Sequence, residues 1–291
     1  MKPSTAGFLF TTPWLIGFLI FTAGPMLISL YLSFTKFDLA SMHWVGTRNY
    51  SKLLTDDPLF WKSLKVTFIY ALFSVPLGIV GSLGVAILLN QRVRGQRVFR
   101  TLFYLPSLVP AVASSLLWSW IFNSDYGLLN WALGLFGWSG AEWLADEKYT
   151  LGAFVVMSLW GIGGGRMIIF LAGLQGISDS YYVAARIDGA SAWQQFRKVT
   201  LPLLSPVMFF NLILGIIGAF QVFTQAYVMT GGGPNNATLF YALNLFRNAF
   251  EFFKLGKASA MAWILFVILL AITGIQFLGA KRWVHYESEV K

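Results

Sequence analysis

Charge is excluded from this chain in long blocks, and that exclusion constrains the fold more than any other feature. From Pro3 to Thr35 there is no Asp, Glu, Lys or Arg, a run longer than the roughly 20 residues needed to cross a bilayer. Further apolar blocks follow at Val66–Asn90, Thr101–Asn123, Thr150–Ile177, Leu203–Thr230 and Ala258–Ala280. Hydrophobic residues make up 57% of the 291 positions and charged ones 11%, which lies outside soluble averages and inside the membrane class. Backbone groups in hydrocarbon must bond internally, so spans of this kind are helices. The chain is therefore expected to be an all-α integral membrane protein of about six transmembrane helices, with residues 1–291 forming a single membrane domain.

The first run is too long for the apolar core of a signal peptide and reads as a retained span. Pro13 and Pro25 within it are tolerable kinks. Residues 36–65 read as an external loop with one surface helix around Pro58 to Lys65. Arg92, Arg94, Arg97 and Arg100 then cluster without an acid. The segment after the fourth span is a long polar island. A Gly231-Gly232-Gly233-Pro234-Asn235-Asn236 break follows the fifth span and leads into an amphipathic piece, Thr238 to Phe253. Six spans put both termini on one side. On that side the first six residues, 91–100, 178–200 and the tail hold eleven Lys and Arg in about fifty positions, against nine in a little over eighty opposite. The positive-inside rule makes the denser side, with both termini, cytoplasmic.

The polar island, Ser178 to Pro206, carries an order of its own. Ser178, Asp179 and Ser180 can cap a helix beginning near Tyr181, and Asp188-Gly189 supplies a turn. Ser191 followed by Gln194 forms a capping box opening a second helix. Trp193, Phe196 and Val199 share one face of that helix at three-residue spacing, and Leu201-Pro202 ends it. Two short helices joined at a glycine elbow would present exposed Trp193 and Phe196 to water, a surface that wants a partner.

Val183-Ala184-Ala185, Gly189, and after nine residues Val199-x-Leu201-Pro202 resemble the cytoplasmic loop of permease subunits of binding-protein-dependent ABC importers. The stretch AARIDGASAWQQFRKVTLPLLSP is similar to the carbohydrate branch, relatives of the maltose and glycerol-3-phosphate permeases. Val45-Gly46 with Asn49-Tyr50, Phe103-Tyr104-Leu105-Pro106 and Thr230-Gly231-Gly232-Gly233-Pro234 agree. The resemblance implies a type I importer permease fold in the bacterial cytoplasmic membrane. It implies a second homologous permease, two ATPase subunits that bind ATP and Mg, and an extracytoplasmic substrate-binding protein. It also implies that residues 178–202 are coupling helices seated in an ATPase cleft, with Ala184, Ala185, Asp188, Gly189, Ala190, Trp193, Phe196, Leu201 and Pro202 carrying the contact. Val183 stands where the motif has Glu.

Arg166 lies about eleven residues from Ile177, roughly 16 Å into the span at 1.5 Å per residue. An exposed charge there costs about 2.5–3.5 kcal/mol, so it must face a cavity, a partner helix or carbonyl groups. For a saccharide pathway, spans three to five offer Trp118, Trp120, Asn123, Trp160, Asn211, Gln221 and Gln225 as aromatic faces and amides. Gln221 and Gln225 share a helix face at four-residue spacing. Interfacial belts and helix–helix bonding account for the same residue types. The glycines at 163–165 lie within a span and lack a phosphate loop's Lys-Ser/Thr ending. There is no cysteine, only His43 and His285 supply imidazole, and the spans hold no Asp or Glu. Neither a resident metal or cofactor nor an enzyme chemistry is expected from such a set. A secondary carrier would want paired carboxylates or repeats in the spans, and neither is found.

Overall fold

A computed structural model describes residues 3–37, 41–91 and 94–285, with side chains from Phe10 onward. Arg92 of the basic cluster and both extreme termini lie outside them. The chain is mostly helical, and it divides into two compact units, 1–61 with 244–270 and 62–243 with 271–291.

In the first unit the opening run is one continuous helix, built of Pro3–Phe18, a wider i→i+5 turn at Leu19–Ala23, and Gly24–Ser33. A two-stranded antiparallel ribbon follows, Thr35–Phe37 against Met42–Trp44, with Lys36 opposite His43. It is the departure from all-α structure among the described residues. The helix Arg48–Thr55 comes next. Asn49 Nδ2 donates to the carbonyls of Ser33 and Thr35 at 2.8 Å each, and the Tyr50 hydroxyl donates to Ser33 Oγ at 2.7 Å. The Asn-Tyr pair thus ties the chain back onto the end of the first span.

The expected surface helix at 58–65 is instead the opening of one helix, Pro58–Asn90. Asp57 explains the uninterrupted start: its Oδ1 accepts from the Leu59 and Phe60 N–H groups, with proline at the first helical position where no donor is needed. Lys257 Nζ sits 2.6 Å from the other Asp57 oxygen. Asn244 Nδ2 donates to the Leu59 carbonyl at 3.2 Å, and Asn248 Nδ2 to the Asn244 carbonyl at 2.8 Å.

Four helical runs are long and apolar enough to span a membrane without a sharp bend: Phe10–Ser33, Pro58–Asn90, Ala192–Met229, which is broken at 221–223 but keeps its direction, and Leu255–Ala280. The count reaches six only with bent pairs. In the second unit, Gln96–Leu108 meets Ala111–Ile121 at 95°, and Gly165–Gly176 meets Asp179–Ile187 at 62°. Val109, extended at ψ 126°, ends the first of these runs because it precedes Pro110, and the residue before a proline avoids helical angles. The expected span 150–177 is likewise split into Glu147–Leu159 and Gly165–Gly176. Gly163 and Gly164 form the turn between them rather than lying inside a helix. A β-carbon on Gly163 would strike the Phe103 carbonyl, and one on Gly164 would lie 2.9 Å from Ser107 Cβ. Close approach of two backbones, not flexibility, is what these glycines provide.

The segment read from the sequence as an amphipathic piece, Thr238 to Phe253, is largely buried. Leu239, Phe240, Tyr241 and Leu243 are each at most 1% exposed. The Tyr241 N–H donates to Thr67 Oγ1 at 2.8 Å, and the Phe240 ring packs on Tyr70 and Phe154. Its polar residues follow a helical period because they bond inward, and period alone cannot tell that from facing water. The glycine-rich break before it holds Gly231, Gly232, Asn235 and Asn236 at positive φ, which is where such residues are tolerated.

Candidate functional site

Between Gly176 and Leu201 the local chemistry determines the shape. Ser178 Oγ accepts from the Ser180 N–H, so the first short helix starts at Asp179, two residues earlier than its sequence indicated, and runs to Ile187. At its end the Gly189 N–H donates to the Arg186 carbonyl at 3.1 Å and the Ala190 N–H to the Ala185 carbonyl at 2.9 Å. That pair of bonds, with Gly189 at φ +75°, is a Schellman turn, which satisfies two helix-end carbonyls and needs a left-handed residue. The capping box is present: Ser191 Oγ accepts from the Gln194 N–H, and Gln194 Oε1 accepts from the Ser191 N–H at 2.7 Å.

Leu201-Pro202 does not end the second helix. Ala192–Gln195 passes through an i→i+5 turn at Phe196–Thr200 directly into Leu201–Phe220. A proline inside a helix collides with the carbonyl four residues back, and the widened turn just upstream relieves that collision. The short helix is thus a rigid continuation of the next span.

The apolar face also differs from the expectation. Trp193 is 66% exposed, but Phe196 is half-buried, with its ring 5.5 Å from that of Trp193. Phe196 lines a small cavity with Ile87, Leu174, Tyr182 and Thr200, where the Tyr182 and Thr200 hydroxyls bond at 3.0 Å. Phe196 anchors the loop, and Trp193 faces outward. Ala184, Asp188 and Gly189 are exposed, while Ala185 and Ala190 are half-buried. The residue missed by sequence reasoning is Ile187, 81% exposed at the elbow itself. An isoleucine immediately before Asp188-Gly189 in a polar island was the available signal.

A second constellation surrounds Arg166, the second residue of the Gly165–Gly176 helix. With Tyr70, Ser74, Gly78, Ser158 and Gly215 among its neighbours it lines a cavity of about 260 Å³. A β-carbon on Gly78 would strike Arg166 Nη1, and one on Gly215 would lie 3.3 Å from Nη2. The guanidinium therefore occupies a slot that two glycines on different helices leave open. Among the described residues the ion pairs are Arg247–Glu251 and Lys257–Asp57, and neither involves Arg166. Tyr70, Ser74 and Gly78 form a four-residue stripe down one helix, a pattern visible in the sequence but not singled out from it.

The other pathway candidates do not converge on this cavity. Trp118 packs in a buried cluster with Phe122, Ala153 and Met157, and its ring meets that of Trp160 at 6.1 Å. Trp120 is 66% exposed and Trp160 borders on exposed. Asn123 Oδ1 accepts from the Asp125 and Tyr126 N–H groups, so it shapes a turn. Asn211 is buried, with Nδ2 donating to the Val207 carbonyl of its own helix at 2.9 Å. Gln221 and Gln225 do not share a helix face, because the helix stops at Phe220 and a new one starts at Thr224.

Residues 74–285 match the family described as binding-protein-dependent transport system inner membrane component. The chain is 45% identical to a probable ABC transporter permease protein, YesP, of Bacillus subtilis, over 99% of this chain and 94% of that protein. It is 36% identical to the trehalose/maltose transport system permease protein MalF of Thermococcus litoralis, over 94% and 92%. In fold it matches a chain in a bacterial alginate ABC transporter crystallised with alginate pentasaccharide-bound periplasmic protein, with TM-score 0.84, 21% identity and coverage of 97% and 96%.

Proposed function

The chain belongs to the family of binding-protein-dependent transport system inner membrane components, and on that premise we propose that it is the membrane-spanning, non-catalytic subunit of an ATP-driven importer of a sugar or oligosaccharide, or of a sugar-like polyol phosphate. The sugar class follows the saccharide-named relatives. A second permease completes the pathway, two separate ATPase subunits bind ATP and Mg, and an extracytoplasmic binding protein delivers the substrate. Both termini and residues 178–202 face the cytoplasm.

The observation that carries this reading is the elbow. A loop with a full capping box, a Schellman turn and outward-facing Ile187 and Trp193 is built to be gripped. Because the second short helix continues without interruption into Leu201–Phe220, a push on Trp193 reaches the membrane as rigid-body motion, and the spans alternate between outward and inward cavities. A self-contained carrier has no use for such a handle.

Purification of the tagged chain from membranes tests the assembly. An ATPase and a second permease of the same family are expected to co-elute, and uptake is expected to need ATP and the binding protein. Uptake by this chain alone, driven by an ion gradient, would reject the reading.

A further inference from the structure

We propose that the Arg166 cavity is a subsite for an anionic group on the transported saccharide, a carboxylate of the uronic acid class; this rests on the saccharide-import reading above. The cavity lies among apolar helices, and none of the six spans contains an Asp or Glu. An arginine in that setting faces a cavity or pairs with an anionic or carbonyl group. The described residues supply no ion pair for it, yet Gly78 and Gly215 leave room for its guanidinium on both sides. Substitution of either glycine would fill that room, so the chain keeps the fork open at two independent positions.

Three hydroxyl-bearing residues, Tyr70, Ser74 and Ser158, line the same cavity among glycines and aliphatic side chains. Ser158 Oγ donates to the Val155 carbonyl at 2.6 Å, which leaves it an acceptor toward a sugar hydroxyl. A guanidinium matches a carboxylate with two parallel N–H···O bonds, which a neutral hexose cannot offer. Arg166 also stands at the start of the Gly165–Gly176 helix, where the helix dipole adds positive potential for the same anion.

The test uses the full transporter in proteoliposomes with its binding protein, and two labelled probe sets: di- to pentasaccharides of hexuronic acids and the matching neutral hexose oligomers. Wild-type protein is expected to take up the uronate set in preference. Arg166→Gln is expected to lose uronate uptake by about tenfold or more relative to neutral uptake, the scale of a lost charge-assisted bond, with Arg166→Lys intermediate. Uptake confined to the neutral set by wild type would overturn the subsite while leaving saccharide import standing, and this arm does not depend on any variant folding. Equal uronate uptake by wild type and Arg166→Gln would also overturn it. Uptake of neither set, with ATPase and binding protein present, would sink the saccharide reading itself.

Discussion

The elbow at 178–202 and the cavity at Arg166 are built by opposite means. In the elbow the caps and the turn that set its shape are local: Ser178 to Ser180, Ala190 to Ala185, Ser191 to Gln194. In the cavity the lining comes from three separate stretches of chain, Tyr70 to Gly78, Ser158 to Arg166 and Leu214 to Val222, brought together only by helix packing. The elbow can therefore be read as a string, whereas the cavity exists only as an assembly. The roles proposed for them divide the same way, since a handle would have to keep one shape through many cycles and a substrate pathway would be rearranged by each.

Variants can break that contrast or sharpen it. The largest effect is expected from Gly189→Val, because a β-branched residue at φ +75° is a genuine outlier. Uptake should fall by on the order of 100-fold or more while the chain still inserts, and Gly189→Asn should retain much of it because asparagine tolerates the left-handed region. Proteoliposome uptake alongside ATPase co-purification reads this. Normal coupled transport by the valine variant would show that the elbow is not a handle.

Next comes Gly78→Val, which pushes a side chain into the Arg166 slot. Overpacking of about 1–3 kcal/mol should lower uptake roughly ten- to 100-fold while ATPase co-purification persists. Loss of ATPase association here would erase the division between the two regions. A smaller effect is expected for Trp193→Ala, the exposed aromatic anchor. Truncation should weaken ATPase association by about 2 kcal/mol, roughly 30-fold in Kd, without changing which saccharide is preferred. Fluorescence titration with the purified ATPase subunit would measure it.

The smallest is Ser191→Ala, which removes the cap and one half of the box. It should cost about 1 kcal/mol, visible as faster amide hydrogen exchange at Ala192–Gln195 and little change in uptake. The reason is that the widened turn and the following span hold the short helix from its other end.

How much of this was legible follows from range. The charge-free runs marked the spans, and Ser191-x-x-Gln194 and Asp188-Gly189 marked the elbow, since capping and left-handed turns are settled within a few residues. The helical spacing of Phe196 from Trp193 suggests a shared outer face, but Phe196 turns toward a cavity that it lines with Ile87, Leu174 and Tyr182, residues its own stretch does not name. Gln221 and Gln225 looked paired because a period was carried through a break at 221–223. Arg166 drew notice as a charge in a span, but nothing in its neighbourhood of sequence names Tyr70 or Gly215.

By itself the sequence determined the class of the protein, which runs are apolar enough to span a membrane and the capped turn of the loop that joins two of them, because hydrophobic burial in lipid and backbone capping are properties of a single stretch. Tertiary structure alone decided where spans bend, that 239–243 is interior, and that an arginine faces a cavity between glycines. Those outcomes depend on which helices touch, and contact between distant stretches is a matter of volume and mutual fit that no single stretch encodes.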